Sequence, residues 1–428
     1  MPKKLQSPAA LDGLYRLAES EAVTHEAVLE PHRQRTLQRM RDCDDVVLII
    51  HDTTMLDYTS IRSLRDDLGP IGKGHHARGY LCHNSLAITA GARQVLGLAH
   101  QILFCREEAP PGETRAQRRT RQGRESRLWT RGSRAIPAAP VGKLWVDVCD
   151  RGADLFEYID HKHLTGGHYL VRSSHNRWME IADADGRPQR HKLHDEAPGR
   201  PPLGCKTVAV PARGQQPART AKLVLSATAV TLIPPRRKRG EHRREPLPSF
   251  VVVAREIDTP AGAEPVEWIL LTDLGVTDLE DIVRIVHWYG GRWTVEDYHK
   301  AMKTGCAVEA LQLTTAERLR PVLALLSVVA VSLLELRDAG RAPEADIRPA
   351  TELFSEEDVA ILAVWRYGTP RTDLTVGEFS LALARLGGHQ NRLGDGPPGL
   401  LVLWRGWTEL QAMVRGAAAA RLLRCGET

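Results

Sequence analysis

The spacing of apolar residues changes once along the chain, and this change constrains the fold more than any other feature. Before residue 273 the apolar residues form short runs, such as Val46–Ile50, Leu144–Cys149 and Trp268–Leu271. Apolar runs of about four to eight residues are typical of buried strands. From Leu279 the spacing becomes helical and largely stays so to the C-terminus, apart from an interruption around residues 387–399. Strands followed by helices predict an α/β fold with a helical C-terminal region.

Size and composition predict a soluble protein of two or three structural units. The chain has 428 residues, of which 42% are hydrophobic and 26% charged. No apolar run approaches the roughly 20 residues that cross a bilayer, and no secretory signal follows Met1. The seven cysteines are scattered, without Cys-x-x-Cys or zinc-finger spacing, so free thiols are expected. We therefore expect a cytoplasmic, nucleoid-associated protein with no membrane partner.

Positive charge is concentrated in two blocks, although the net charge is only +5. The first block runs from Arg115 to Arg134, and the second runs from Pro234 to Arg244. Solvated loops and contacts with nucleic acid explain such blocks about equally well.

Two of the predicted strands end in an aspartate. The run from Asp45 leads to Asp52, and the run from Leu144 leads to Asp150. Residues 81–104 predict a hairpin beside the first strand, and residues 176–265, which contain short β-like pieces, predict a β-rich insertion. Aspartates at strand ends commonly cap turns. They can also hold hard divalent cations, whose preferred ligands are carboxylate oxygens.

A third acidic position follows the last predicted strand. On an ideal helix the side chains of five residues fall within about 40° of the direction of Glu296. These residues are Tyr289, Arg292, Glu296, Lys300 and Lys303. The plain interpretation is a solvated face with ion pairs. The alternative is a carboxylate that binds metal among cations that hold phosphate, as phosphoryl transfer with two divalent ions requires.

The three acidic positions together resemble the bacterial insertion-sequence transposases of the Asp-Asp-Glu type, which carry a Tyr-x2-Arg-x3-Glu-x6-Lys signature. The resemblance covers nearly the whole chain. Its motifs are Asp52-Thr53-Thr54, Asp150-Arg151-Gly152-Ala153-Asp154, the signature residues Tyr289, Arg292, Glu296 and Lys303, and Gly394–Gly399 followed by Leu403–Trp407.

The resemblance implies a ribonuclease H-like catalytic core and cut-and-paste transposition through hairpin intermediates. Asp52, Asp150 and Glu296 would be the catalytic residues and the ligands of two divalent metal ions, Mg or Mn. The partners would be transposon-end and target DNA and a second copy of the chain in a homodimer, with no nucleotide cofactor. The implied DNA-binding residues are Tyr289, Arg292, Lys300, Lys303, Arg172 and Trp268. A core aromatic remains the alternative for Trp268, and a surface arginine remains the alternative for Arg172.

The implied organisation has five segments. Residues 1–44 form a partial N-terminal helical DNA-binding region, which looks shortened because only 51 residues precede Asp52. Residues 45–175 form the first part of the core, 176–267 the β-rich insertion, 268–314 the last core strand and the glutamate helix, and 315–428 a helical region that could dimerise.

Two other segments could be taken for binding sites, but neither has the required ligand pattern. Residues Gly69–Gly74 lack the spacing of a phosphate-binding loop. His75, His76 and His83 lack a fourth metal ligand, so we expect them to face solvent or DNA. The first rival function is a catalytically silent DNA-binding remnant that inhibits intact transposase, and the second is a general metal-dependent nuclease.

Overall fold

A computed structural model describes residues 8–72, 76–107, 110, 112–114, 117, 123–210, 217–235 and 242–425. The chain divides into two compact units. The first unit is Arg33–Val295, and the second comprises Met1–His32 and Glu296–Thr428. Parts of both basic blocks, and His75, lie outside the described residues.

The first unit contains a large mixed sheet, which confirms the α/β prediction. The strand order is β2-β3-β1-β5-β6-β12-β11-β10-β7-β8, with β4 paired to β3 and β9 paired to β10. The strands are β1 (Val47–Asp57), β2 (Gly69–Ile71), β3 (Ala77–Thr89), β4 (Val95–Phe104), β5 (Trp145–Cys149), β6 (His168–Arg172), β7 (Trp178–Ala182), β8 (Pro188–Lys192), β9 (Gly204–Val210), β10 (Arg219–Leu232), β11 (Leu247–Ile257) and β12 (Glu267–Thr272).

The centre of the sheet is parallel. Strand β1 runs parallel to β5, and β5 runs parallel to β6, whereas the other described pairs are antiparallel. Every residue of β5 is buried, as expected for a strand covered on both faces. The predicted hairpin is present as β3 and β4, joined by a turn in which Arg93 has a positive φ of 57°.

The helices complete the two units. They are α1 (Pro8–Glu19), α2 (His25–Asp42), α3 (Leu128–Arg134), α4 (Phe156–Thr165), α5 (Leu193–Glu196), α6 (Leu279–Gly290), α7 (Thr294–Lys300), α8 (Ala316–Ala339), α9 (Glu356–Tyr367), α10 (Val376–Leu386) and α11 (Leu400–Cys425). The helical C-terminal region is confirmed.

Packing in the second unit depends on close backbone contact between α10 and α11. A Cβ atom added at Gly406 would lie 1.9 Å from the carbonyl oxygen of Leu383, and one at Gly387 would lie 1.9 Å from that of Val402. Only glycine allows helices to approach so closely. Helix α10 begins with a capping box between Thr375 and Glu378, which satisfies backbone donors of its first turn.

One described helix, α8, is long and apolar enough to cross a membrane by length and composition. The sequence predicted no apolar run of this length. Of the most apolar window of α8, 67% is buried inside the structure. Such burial is typical of a core helix in a soluble protein.

The prediction of one regular helix through Tyr289 to Lys303 was wrong. The segment from Leu279 to Gly305 is not one α-helix: a 3-10 turn, Gly291–Trp293, separates α6 from α7, and a π-helical turn, Ala301–Gly305, follows α7. These turns have periods other than 3.6 residues. The prediction that the side chains from Tyr289 to Lys303 share one helix face therefore does not hold.

Candidate acidic site

Asp52 and Asp150 leave two neighbouring parallel strands at the same level. The register between β1 and β5 ends with His51 opposite Cys149, and each aspartate is the next residue. Neighbouring strands lie about 4.8 Å apart, so the two carboxylates start from adjacent backbone positions. The sequence predicted that the first strand ends at Asp52. In the structure β1 continues to Asp57, because it stays paired with β3. Asp52 marks the end of the parallel pairing only.

Asp150 is held by the turn that follows it. Its Oδ1 atom accepts a hydrogen bond of 2.9 Å from the backbone N–H of Gly152. A side chain at position 152 would collide with the ring of Trp129, 2.3 Å from an added Cβ atom. Burial raises the pKa of Asp150 above its ordinary value, and the Gly152 N–H and the charge of Arg292 oppose this shift only in part.

A single guanidinium group interacts with both carboxylates. Arg292 donates from Nη1 to Oδ2 of Asp52 at 3.0 Å. Its charge also acts on Asp150, whose pKa it lowers. Arg172, the last residue of β6, contributes a second positive charge near Asp150 and donates to the carbonyl oxygen of Glu267 at 2.8 Å. The two carboxylates are therefore already compensated by guanidinium charge.

Aromatic rings lie next to the arginines that surround Asp150. Tyr289 interacts with Arg172 and is 1% exposed, and its burial raises the pKa of its hydroxyl. Trp268 is 7% exposed and lies edge-on to Tyr289, with 5.2 Å between the ring centres. In this position it is packed as a core aromatic. The exposed ring of the group is Trp293, which the sequence analysis did not single out.

A buried polar network crosses β1 and β5 next to the aspartates. Oδ2 of Asp147 accepts hydrogen bonds from Lys162 at 2.8 Å, Ser133 at 2.6 Å and Tyr158 at 2.9 Å. Nε2 of His51 lies 3.4 Å from the same oxygen. This network was not predicted from the sequence, although an aspartate inside an apolar strand is a signal of a buried partner.

The prediction that His83 faces solvent or DNA was wrong. His83 is fully buried, and its Nδ1 atom lies 2.8 Å from the hydroxyl of Thr53. Its ring stacks on that of His51, with 5.7 Å between the centres. His83 therefore faces the core and not solvent or DNA, whereas His76 is exposed as expected.

The remaining predicted site residues, Glu296, Lys300 and Lys303, belong to the second unit. Glu296 and Lys300 are exposed residues of α7, and Lys303 lies in the π-helical turn. The Nζ atom of Lys303 is 3.3 Å from Glu309. Asp52, Asp150, Arg172, Trp268, Tyr289 and Arg292 all belong to the first unit.

The donor chemistry of the aspartate pair fits a hard divalent cation. Two carboxylates project from adjacent strand positions, and a guanidinium already interacts with both. Carboxylate oxygens are the ligands that Mg and Mn prefer. Within the residues that the structure describes, no group of three or more His, Cys, Asp or Glu side chains is assembled as a metal site. The pair supplies two ligand groups, and Glu296 stays a predicted third.

No protein-family model matches the chain.

Proposed function

We propose that this chain is a transposase that cuts DNA at the ends of a mobile element and joins those ends to target DNA. The observation that carries the proposal is the register of β1 with β5, which brings Asp52 and Asp150 to the same level of two parallel strands. The transposase motifs come from the order of residues alone, so the strand pairing is independent support.

The proposed metal ligands are Asp52, Asp150 and Glu296. When bound, two Mg or Mn ions would activate an attacking oxygen and stabilise the leaving oxygen of a phosphodiester. The task of the three carboxylates is to hold the ions. Asp52 and Asp150 are well suited to this task because each follows a buried strand residue whose position is fixed by the sheet.

The cations around the carboxylates would hold DNA phosphate. Arg172 and Arg292 already lie close to Asp150, and guanidinium groups bind phosphate oxygens in pairs of hydrogen bonds. Lys300 and Lys303 would add phosphate contacts from the second unit. For a stacked base Trp293 is a better candidate than Trp268, since Trp268 would first have to leave its contact with Tyr289.

The sheet also supports a ribonuclease H-like core in the proposed enzyme. Strands β1, β3 and β4 are antiparallel neighbours, and β5 and β6 add to β1 in parallel. Ligands in sheets with parallel strands commonly bind beyond the carboxyl ends of those strands, and both aspartates directly follow the last residue pair of the parallel pairing between β1 and β5. A homodimer that bridges two DNA ends, in a nucleoid-associated location in the cytoplasm, completes the proposal.

The test is a cleavage and strand-transfer assay with Mg or Mn on DNA that carries the inverted repeats flanking the gene. The chain is compared with Glu296→Gln, with Asp150→Asn and with the control Glu409→Gln, which alters another exposed helical glutamate. We expect cutting at the repeat ends in the chain and the control, and none in the two site variants. DNA binding should persist in Glu296→Gln, because the surrounding cations remain.

The same assay separates the rival functions. Cutting of any DNA without joining would identify a general nuclease. Binding without cutting under every metal condition would identify a silent remnant. Cutting that survives in both site variants would refute the assignment of the acidic residues.

A further inference from the structure

Helix α3 carries a buried tryptophan that lies against the turn after Asp150. Trp129 is 7% exposed. The outer atoms of its ring lie next to Gly152, where an added Cβ atom would be 2.3 Å from Cζ2 and 2.5 Å from Cη2. The backbone N–H of Gly152 donates to Oδ1 of Asp150 at 2.9 Å. The ring of Trp129 therefore supports the turn that orients this carboxylate.

The same ring also contacts the residues that support Asp52. It lies edge-on to His83, with 5.4 Å between the ring centres. The Nδ1 atom of His83 is 2.8 Å from the hydroxyl of Thr53. The backbone N–H of Thr53 donates to Oδ1 of Asp52 at 2.7 Å. Short chains of contacts therefore connect this one tryptophan to both carboxylates.

Helix α3 is held closely against the sheet. A Cβ atom added at Gly132 would lie 2.8 Å from Nε2 of His83 and 3.1 Å from Nδ1 of His51. The helix backbone thus lies directly on two histidine rings, an approach that glycine allows. The hydroxyl of Ser133 donates to Oδ2 of Asp147 at 2.6 Å. The tryptophan on this helix therefore has a rigid base.

We propose that Trp129 is a positioning residue, which sets the separation of the Asp52 and Asp150 carboxylates for the divalent ions of the proposed enzyme. This role rests on the proposed function, which supplies the ions. Two ions about 3.5–4 Å apart need ligands that are held within about 0.5 Å of their productive positions. The two carboxylates come from different strands, so a ring that contacts the supports of both fixes the distance between them.

The test measures Mn binding by electron paramagnetic resonance, in which the signal of free Mn disappears as the ion binds. Trp129→Phe removes the outer ring atoms that lie next to Gly152. Asp150→Asn identifies the binding that belongs to the acidic site. The matched control is Trp145→Phe, because Trp145 is 6% exposed and is the first residue of β5, whereas Asp150 directly follows the last.

We expect Trp129→Phe to weaken Mn binding by about 10- to 100-fold, the usual cost of removing a residue that orients metal ligands. Trp145→Phe should bind Mn as tightly as the unaltered chain does. Both variants should lower the melting temperature without metal, since both remove buried ring atoms. The contrast in Mn binding separates positioning from core packing.

The variant Gly152→Ala tests the contact itself. Its Cβ atom would collide with the ring of Trp129 and displace the turn, so Mn binding should weaken. Phenylalanine at position 129 lacks the colliding atoms. Gly152→Ala should therefore weaken Mn binding less in the Trp129→Phe background than in the unaltered chain. The recovery should be partial, because the Cβ atom also lies 3.1 Å from Oδ1 of Asp150.

Equal Mn binding by Trp129→Phe and the unaltered chain would overturn the proposal, as would an equal loss in Trp145→Phe or simple additivity with Gly152→Ala. Mn binding that Asp150→Asn leaves unchanged would also overturn it, since no ion would then lie at the site. Metal-dependent cutting of the inverted-repeat DNA, measured in parallel, tests the proposed function separately. Cutting by a chain whose Trp129→Phe form still binds Mn tightly would reject the positioning role alone. Weakened Mn binding in Trp129→Phe, in a chain that never cuts, would keep the positioning role and reject the transposase.

Discussion

Replacing Lys162 by methionine would remove the counter-ion of a buried carboxylate. Asp147 is 3% exposed, and the Nζ atom of Lys162 donates to its Oδ2 atom at 2.8 Å. Methionine keeps an unbranched, largely apolar chain at position 162, so the main loss is the positive charge. Asp147 would keep its hydrogen bonds from Ser133 and Tyr158.

The expected loss of stability is about 3 kcal/mol, the lower end of the range for breaking one side of a buried pair. The lower end applies because two hydroxyl donors remain on Asp147. Burial alone would raise the pKa of Asp147, but Lys162 and His51 outweigh it and lower the pKa. An acid whose pKa is lowered by folding stabilises the protein above its unfolded pKa of about 3.9, and this contribution is lost as the pH falls. The effect of the variant should therefore be largest at neutral pH.

The assay is urea denaturation at pH 7 of the unaltered chain, Lys162→Met, Asp147→Asn and the double variant. We expect the double variant to lose less stability than the sum of the two single variants, because no unpaired buried charge remains. The control is Lys143→Met, which breaks a pair with the exposed Asp44 at 3.0 Å and should cost about 1 kcal/mol or less. Equal costs for Lys162→Met and Lys143→Met, or simple additivity, would refute the reasoning.

Two further predictions concern single contacts. Asp154→Asn should cost about 2 kcal/mol at pH 7, since folding lowers the pKa of Asp154 from 3.8 to about 2, and denaturation curves should show the difference shrinking as the pH falls from 5 towards 2. Gly406→Ala should cost about 3 kcal/mol, because its Cβ atom would meet the carbonyl oxygen of Leu383. Thermal melts of Gly416→Ala supply the control, since nothing lies within 4 Å of that added Cβ.

The central strands were predictable because their apolar runs are short and continuous. The runs before Asp52 and Asp150 are buried on both faces, and such strands show little alternation with polar residues. The insertion was predicted only in fragments. In β10 the buried positions alternate irregularly with exposed ones, so a strand of 14 residues appears in the sequence only as a short β-like piece.

The two aspartates of the candidate site were predictable from the apolar runs that precede them. The side-chain contacts between distant elements were not. Asp52 and Asp150 are neighbours because each follows an apolar run, and these two runs pair in parallel. The contacts of Asp147 come from three separate elements, and no local pattern encodes them. The helix-face argument for Glu296 failed because the 3-10 and π-helical turns depart from the regular period.

The contact between Arg292 and Asp52 allows a metal site to be distinguished from a structural ion pair without an activity assay. If Arg292 serves only to neutralise the two aspartates, Arg292→Met leaves like charges close together, and the protein should be less stable whether or not Mn is present. If the aspartates are metal ligands, Mn can replace the missing cation, and its binding stabilises the folded state. We therefore expect Mn to raise the melting temperature of Arg292→Met by more than that of the unaltered chain, and Asp150→Asn to remove the difference. An equal shift in all three proteins would reject a cation site at the strand ends.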